Sequence, residues 1–467
     1  MRLSDDYSAN LHKISALLDI EHNFDCIERH LTVGKRDVAL FYIDGFAKDA
    51  ELQRVMQQML SADELESIDK ALERLTYIEV AKAYTTEEIV TAVLSGQTAV
   101  LAEPFAGAAI IIDARTYPAR QTAEPDSDRV MQGARDGFVE TLIMNTALIR
   151  RRIRDPRLCM EHFSIGESSK TDVAVVYMRG VADTTLVGDI KRKLGEIKPK
   201  SLTLGYQSLA ESLIRRGWLN PFPKIRTTER PDTAAAQIME GSVIVLCDTS
   251  PQAMILPTSI FDYLQQTDDY YFPPLTGTYL RIVRTAILIF SMIVTPLWYL
   301  ALENSHIIPP ALSFLIPDEP GALPIILQLL LVEVAIDGLK IASMNTPDML
   351  SNSLSVIGAL ILGDFAVSVG WVCEDVILYM AFVALANFAQ QNAELGYAIK
   401  FVRVLTLIFV FGFGAWGLLI GAVVFVVLVA TNRSVTGKFH YLYPLIPFEW
   451  QAMKRLLFRA KKHDFEP

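Results

Sequence analysis

Cysteine is scarce in this chain: four in 467 residues, at positions 26, 159, 247 and 373, with no metal-ligand spacing among them. Thiols scattered in this way exclude a disulfide framework or a zinc site and read as reduced core residues. Histidine is equally thin, with seven and none paired, and no nucleophile, base or metal constellation can be assembled. The chain is therefore expected not to be an enzyme, to take no cofactor and to bind no metal. Positive charge is short as well: 43 Lys and Arg stand against 53 Asp and Glu, and a net charge of −10 argues against a nucleic-acid partner. The opening "MRLSDDYSANLHKISALLDI" is charged and polar, so no signal peptide is expected.

What the sequence does have is repetition. "KRDVALFYIDGFAK" at 35–48 returns as "KTDVAVVYMRGVAD" at 170–183, sharing Lys35/Lys170, Asp37/Asp172, Val38/Val173, Ala39/Ala174, Tyr42/Tyr177, Gly45/Gly180 and Ala47/Ala182. A second pair, "GQTAVLAEPFAGAAIII" from Gly96 and "GSVIVLCDTSPQAMIL" from Gly241, aligns without gaps at Gly96/Gly241, Val100/Val245, Leu101/Leu246, Ala108/Ala253 and Ile110/Ile255, with Glu103 opposite Asp248. Two markers in the same order imply a duplicated unit. The runs 38–43 and 173–178 are short, β-branched and aromatic, which predicts buried strands ending at the glycine, with Asp44 and Arg179 as turn residues. Helical periodicity follows: residues 49–72 place Leu52, Val55, Met56, Met59 and Leu60 on one face, and 183–195 and 202–217 do the same in the second copy. Each copy reads as a strand, helices and a hairpin, giving α/β subdomains at 1–135 and 159–275.

Between them, "DGFVETLIMNTALIRRRIRDPRL" at 136–158 predicts an amphipathic linker helix with Phe138, Leu142, Ile143, Leu148 and Ile149 apolar. Arg150, Arg151, Arg152 and Arg154 follow in its last turns, where they complement the helix dipole. They form either a solvated capping cluster or a docking site for acidic lipid headgroups or an acidic partner subunit.

A composition of 51% hydrophobic residues averages two unlike parts, because the character changes at 279. Membrane segments are expected at 283–302, 324–343, 354–372, 375–391 and 402–430, making 279–432 a polytopic helical domain. The last is too long for one span and is interrupted by "GFGAWG", which fits a bend or hairpin as well as one tilted helix. The same string matches a dinucleotide fingerprint, but no soluble strand precedes it. Arg281 and Arg284 precede the first span, the 303–323 loop has no Lys or Arg, and the tail 433–467 is basic; both termini are expected in the cytoplasm.

Charges inside this apolar half are few. Glu333, Asp337 and Lys340 fall at i, i+4 and i+7 on one helix face, and each costs about 2.5–3.5 kcal/mol at a bilayer centre. Three readings stay open: a structural network in which Asp337 pairs with Lys340, a pore-lining stripe whose carboxylates attract cations, or a transporter substrate site. Asp364, in "SNSLSVIGALILGDFAVSVGW", is a further pore-lining candidate among small residues that also suit close helix packing.

The order of "GARDGFVETLIMNTALIRRRI", "GESSKTDVAVVYMRGVAD", "LQLLLVEVAIDGLKIAS" and "SVIGALILGDFAV" resembles the A-type subunits of the GerA family of spore germination proteins, over nearly the whole chain. The short N-terminus and "GKRDVALFYIDGFAKD" resemble a branch encoded with the SpoVA proteins that handle calcium dipicolinate. The resemblance implies an integral protein of the spore inner membrane that forms a homo-oligomeric ring, conducts ions and amplifies germination, beside B- and C-type subunits or SpoVA proteins. A non-conducting scaffold or sensor subunit is the alternative. Where the family commonly has a Pro-Asn-Tyr-Glu-like run, this chain has "AQQNAELG", keeping Asn392 and Glu394 but no proline.

Overall fold

The computed structural model describes residues 2–61, 65, 67–75, 79–116, 128, 130–214, 220–345, 358, 366–390, 392–432, 435 and 441–458. It divides into two compact units. The first is Met1–Arg216 with Ile225–Thr258 and Ser434–Lys438; the second is Gly217–Lys224, Ser259–Arg433 and Phe439–Pro467.

The first unit contains two five-stranded antiparallel sheets built to one plan. The first sheet has β1 (Cys26–Val33), β2 (Arg36–Ile43), β3 (Val80–Ala83), β4 (Thr98–Ala102) and β5 (Ala109–Ile112), in the order β1-β2-β4-β5-β3. The second has β6 (Leu158–Ile165), β7 (Thr171–Met178), β8 (Arg226–Thr228), β9 (Val243–Cys247) and β10 (Ala253–Leu256), in the order β6-β7-β9-β10-β8. Interior strands β2 and β7 are the duplicated apolar runs, almost wholly buried. Equivalent glycines share a left-handed backbone: φ is 81° at Gly45 and 80° at Gly180, and 94° at Gly96 and 97° at Gly241. Only glycine adopts these angles without strain, which explains why both copies keep it.

Register shows where the second marker pair departs from an ungapped alignment. Val38 faces Ala102 and Val173 faces Cys247, as that alignment requires. In the following hairpins, however, Val100 faces Ile110 whereas Val245 faces Met254. The structural partners are therefore Ala109/Ala253 and Ile111/Ile255, and the matches Ala108/Ala253 and Ile110/Ile255 are corrected by one position. The cause is a turn one residue shorter in the second copy. The first turn uses Ala106 and Gly107 in the left-handed region and the second uses Thr249. A one-residue slip would otherwise turn each side chain to the opposite face.

Helices cover the sheets: α1 (Tyr7–Leu18), α2 (Asp49–Leu60), α3 (Ile68–Arg74) and α4 (Thr86–Leu94) in the first copy, then α5 (Leu142–Arg152), α6 (Thr184–Glu196), α7 (Tyr206–Leu213) and α8 (Pro231–Met239). The 49–72 periodicity resolves into two helices, the second capped by the Ser67 hydroxyl. Leu52, Val55 and Met59 are buried as expected, while Leu60 is exposed at the C-terminus of α2.

The linker corrects the expectation of a helix over 136–158. Only Leu142–Arg152 is helical, and Leu158 already belongs to β6. Asp248 accepts from the Leu142 N–H at 2.9 Å, capping the helix from the turn after β9. Nor is α5 a surface helix: Ala147 lies in the core of the first sheet, and Leu148 and Ile149 lie in that of the second.

In the second unit, α9 (Asp268–Tyr271) precedes α10 (Pro274–Glu303), followed by α11 (Ile325–Met344), α12 (Glu374–Phe388), α13 (Ala393–Phe413), α14 (Ala415–Ala430) and α15 (Trp450–Leu457). Among the described residues, α10 and α13 are long and apolar enough to cross a membrane by length and composition. The 402–430 stretch is two helices, broken at Gly414 with φ of 55°. They pack closely: a Cβ on Gly417 would sit 2.1 Å from the Phe409 carbonyl oxygen, and one on Gly421 would sit 2.4 Å from Thr406 Oγ1. Asn392 caps α13 by accepting from the Leu395 N–H at 2.8 Å. Most of the 354–372 segment, Asp364 included, lies outside the described residues.

Candidate ion-pair sites

In the second unit, α11 presents Glu333 and Asp337 one turn apart, as the i, i+4 spacing requires. Facing them on α13 are Lys400 and Arg403, three residues apart on one face of a largely apolar helix. Arg403 donates from one nitrogen, Nη2, to both Glu333 oxygens at 2.7 Å, and its Nη1 reaches the Ser291 carbonyl of α10 at 3.3 Å. Lys400 lies 3.1 Å from Glu333 and also donates to Asp337. Glu333, Lys400 and Arg403 are all buried, while the Asp337 side chain is 35% exposed. Two carboxylates thus meet two cations, and Lys400 is shared by both acids.

The arrangement settles the partner of Asp337, which is Lys400 rather than Lys340. The Lys340 ammonium lies 4.7 Å from the centre of the Tyr397 ring, a cation–π placement on the same neighbouring helix. Sequence reasoning missed Lys400 and Arg403. The signal was present: two cations three residues apart in "AIKFVRVLTLIF" need acidic partners in an apolar setting.

Farther toward the start of α10, Asp269 is fully buried, with Arg284 nitrogens at 3.1 and 3.2 Å and Arg281 Nε at 3.4 Å. The two arginines before the apolar run therefore share one buried carboxylate from a short preceding helix.

The arginine cluster of the linker separates by role. Arg150 is 0% exposed and holds Asp25 in a fork, Nε to Oδ2 at 2.8 Å and Nη2 to Oδ1 at 2.9 Å. It also donates to the Asn23 side chain at 3.0 Å and the Leu158 carbonyl at 3.2 Å. Asn23 in turn accepts from the Met160 N–H at 2.9 Å. This node joins the first copy, the linker and the second copy. Arg150 is thereby corrected from an exposed docking residue to an internal tie, because no lipid or partner can reach a guanidinium with no exposed surface. Burial acts to lower its pKa, but the Asp25 carboxylate outweighs this and holds the group firmly protonated. Arg152 grips Asp136 at 2.6 and 2.7 Å, and Arg154 approaches Ser95 Oγ at 3.4 Å. Arg151 and Arg154 are exposed.

A tandem of antiparallel sheets locked by an internal arginine is continued by apolar helices with their own buried ion pairs. The chain belongs to the GerA family: the family model described as Bacillus/Clostridium GerA spore germination protein matches residues 14–466. The chain is 37% identical to Stage V sporulation protein AF of Bacillus subtilis (strain 168), over 94% of this chain and 90% of that protein. It is 28% identical to the uncharacterized membrane protein YfkQ of the same organism, over 90% of this chain and 82% of that one. Among solved structures, it resembles the N-terminal domain of the A subunit of the Bacillus megaterium spore germinant receptor GerK3, at 24% identity and TM-score 0.42, over 55% of this chain and 96% of that one.

Proposed function

We propose that the chain is an integral protein of the spore inner membrane that passes ions during germination, as a homo-oligomer working beside other germination proteins. The observation that carries this reading is the row Glu333, Asp337, Lys400 and Arg403 inside apolar helices. Ionisable groups at such depth are costly and mark ion pathways when they are not tied off completely. Here Asp337 stays partly exposed and shares Lys400 with Glu333, so the acidic face of α11 is closed by an exchangeable partner. Opening is the transfer of Lys400 away from Asp337, which would leave carboxylates to attract cations. Lys340 belongs at the end of the same path, and Asp364 is retained as a candidate from sequence. The distribution of Lys and Arg favours both termini in the cytoplasm. Arg151 and Arg154 are proposed to serve assembly or docking to lipid or partner.

A second reading has its own support. The four charges sum to zero, as they would in a non-conducting scaffold whose helices are merely pinned together. Cation flux from vesicles carrying the purified chain separates the two. Conduction requires flux above that of empty vesicles and a change of selectivity in Glu333→Gln. A tight vesicle under every trigger tried, with normal insertion and assembly, would leave only the scaffold.

A further inference from the structure

Residues 444–458, at the end of the second unit, have no place in the ion path. We propose that they form an in-plane anchor seated on the anionic phospholipid surface, an inference that rests on the membrane reading above. Five large apolar side chains, Leu445, Ile446, Phe448, Trp450 and Phe458, are between 46 and 64% exposed. Such a lobe in water would be an aggregation hazard, so it requires a cover.

Its position in the unit selects that cover. Just upstream, Tyr441 is 1% exposed and packs with Leu395, Ala398, Ile399 and Val402 at the N-terminal end of α13. Downstream, the Leu456 carbonyl accepts from Arg281 Nη1 at 2.8 Å. The Leu456 bond lies at the start of α10, where Arg281 and Arg284 give way to an apolar run, and Tyr441 packs on the first turns of α13. The lobe is therefore held at the level of a headgroup layer and not free in solution. On α10, Tyr279 and Ile282, beside Arg281, are 63 and 50% exposed, so apolar surface occurs on both elements joined by that bond.

Charge supplies the second argument. The Lys454 ammonium stands 5.2 Å from the centre of the Trp450 ring, and the sequence continues with Arg455, Arg459, Lys461 and Lys462. The acid of the lobe, Glu449, is bonded by the Tyr443 hydroxyl at 2.6 Å. Aromatic and aliphatic side chains interleaved with cations are the composition that enters the headgroup–acyl boundary and favours acidic lipids.

The test uses the full chain reconstituted in vesicles of phosphatidylglycerol and phosphatidylcholine, with a polarity-sensitive thiol probe at Trp450→Cys. The native cysteines are all buried, so the introduced thiol takes the label. Phe448→Cys serves as the second site should the first variant fail to fold. The expected result is strong quenching by lipids brominated near the headgroup and several-fold weaker quenching by aqueous iodide than for the free probe. Iodide access should rise in pure phosphatidylcholine and in Lys454→Glu. Free iodide access overturns the proposal; so does shielding without lipid quenching, which would put a protein surface over the lobe. Equal shielding in both lipids overturns the choice of an anionic surface. Extraction of the whole chain by alkaline carbonate would count against membrane integration alone, since lipid quenching of the probe decides the anchor separately.

Discussion

Arg150 in the first unit and Arg403 in the second each meet a carboxylate inside a core, but they do so with different completeness. Arg150 engages Asp25 through two nitrogens and spends the rest of its fork on Asn23 and the Leu158 carbonyl. Arg403 engages Glu333 through a single nitrogen, and a second cation, Lys400, lies beside the same acid with another carboxylate to serve. A fork used in full fixes one geometry. A network with a shared cation has more than one way to distribute its bonds. The first arrangement suits a permanent joint between duplicated sheets, and the second suits a part that changes state.

The largest effect that would break this contrast is expected in the first unit. Arg150→Met strands Asp25 in a dry site and should destabilise the unit by about 3–5 kcal/mol, with much of the loss recovered by adding Asp25→Asn. Denaturant unfolding of the full chain in detergent, followed by near-ultraviolet circular dichroism, measures it; a loss well under 1 kcal/mol would mean that the node is not a joint. Arg403→Met should cost less, about 1–2 kcal/mol, because Lys400 remains 3.1 Å from Glu333 and helix contacts of this kind in membranes are worth little more. Equal or larger loss than for Arg150→Met would erase the distinction between the two arginines.

Much of the first unit was readable because the duplicated runs are apolar enough to announce buried strands, and their glycines need a left-handed backbone. β1 escaped notice for a physical reason. Its middle is polar, with Glu28 half-buried and Arg29 and His30 exposed, so no apolar run marks it. The linker helix was read too long because 136–141 and 153–158 continue an apolar pattern that here serves extended chain packed on the second sheet. Arg150 could not be told from Arg151 in sequence, since the partner that buries it lies 125 residues away at Asp25. In the apolar half, the α11 stripe was visible from its spacing. Its partners were not identified, because pairing was sought within α11 and the answering cations stand on α13.

Smaller effects sharpen the same comparison. Asp337→Asn removes a partly exposed acid and should change stability by less than about 1 kcal/mol, while reducing cation preference in a vesicle flux assay. A large stability loss with unchanged selectivity would return Asp337 to a structural role. A last effect is confined to alkaline pH and belongs to the first unit. Burial, reinforced by Asp248, pushes the Cys247 thiol up to about 12, against about 8.5 in an unfolded chain. The folded state therefore keeps the thiol neutral where the unfolded state ionises. Its contribution is fully present below about 8.5 and is lost as pH rises from there toward 12. Cys247→Ala should flatten that alkaline decline in thermal melts, and an unchanged slope would remove the thiol as its cause.

The most direct test of the central claim, that Lys400 closes an acidic ion path, is the cation leak of Lys400→Met in vesicles beside wild type and the double variant Lys400→Met/Asp337→Asn. Freeing the carboxylates should raise basal cation flux by about tenfold, through the local enrichment that an acidic lining provides, and removing Asp337 as well should bring it back down. Wild-type flux in Lys400→Met, with stability lost there and restored in the double variant, would contradict the account and leave the four charges as a structural clasp.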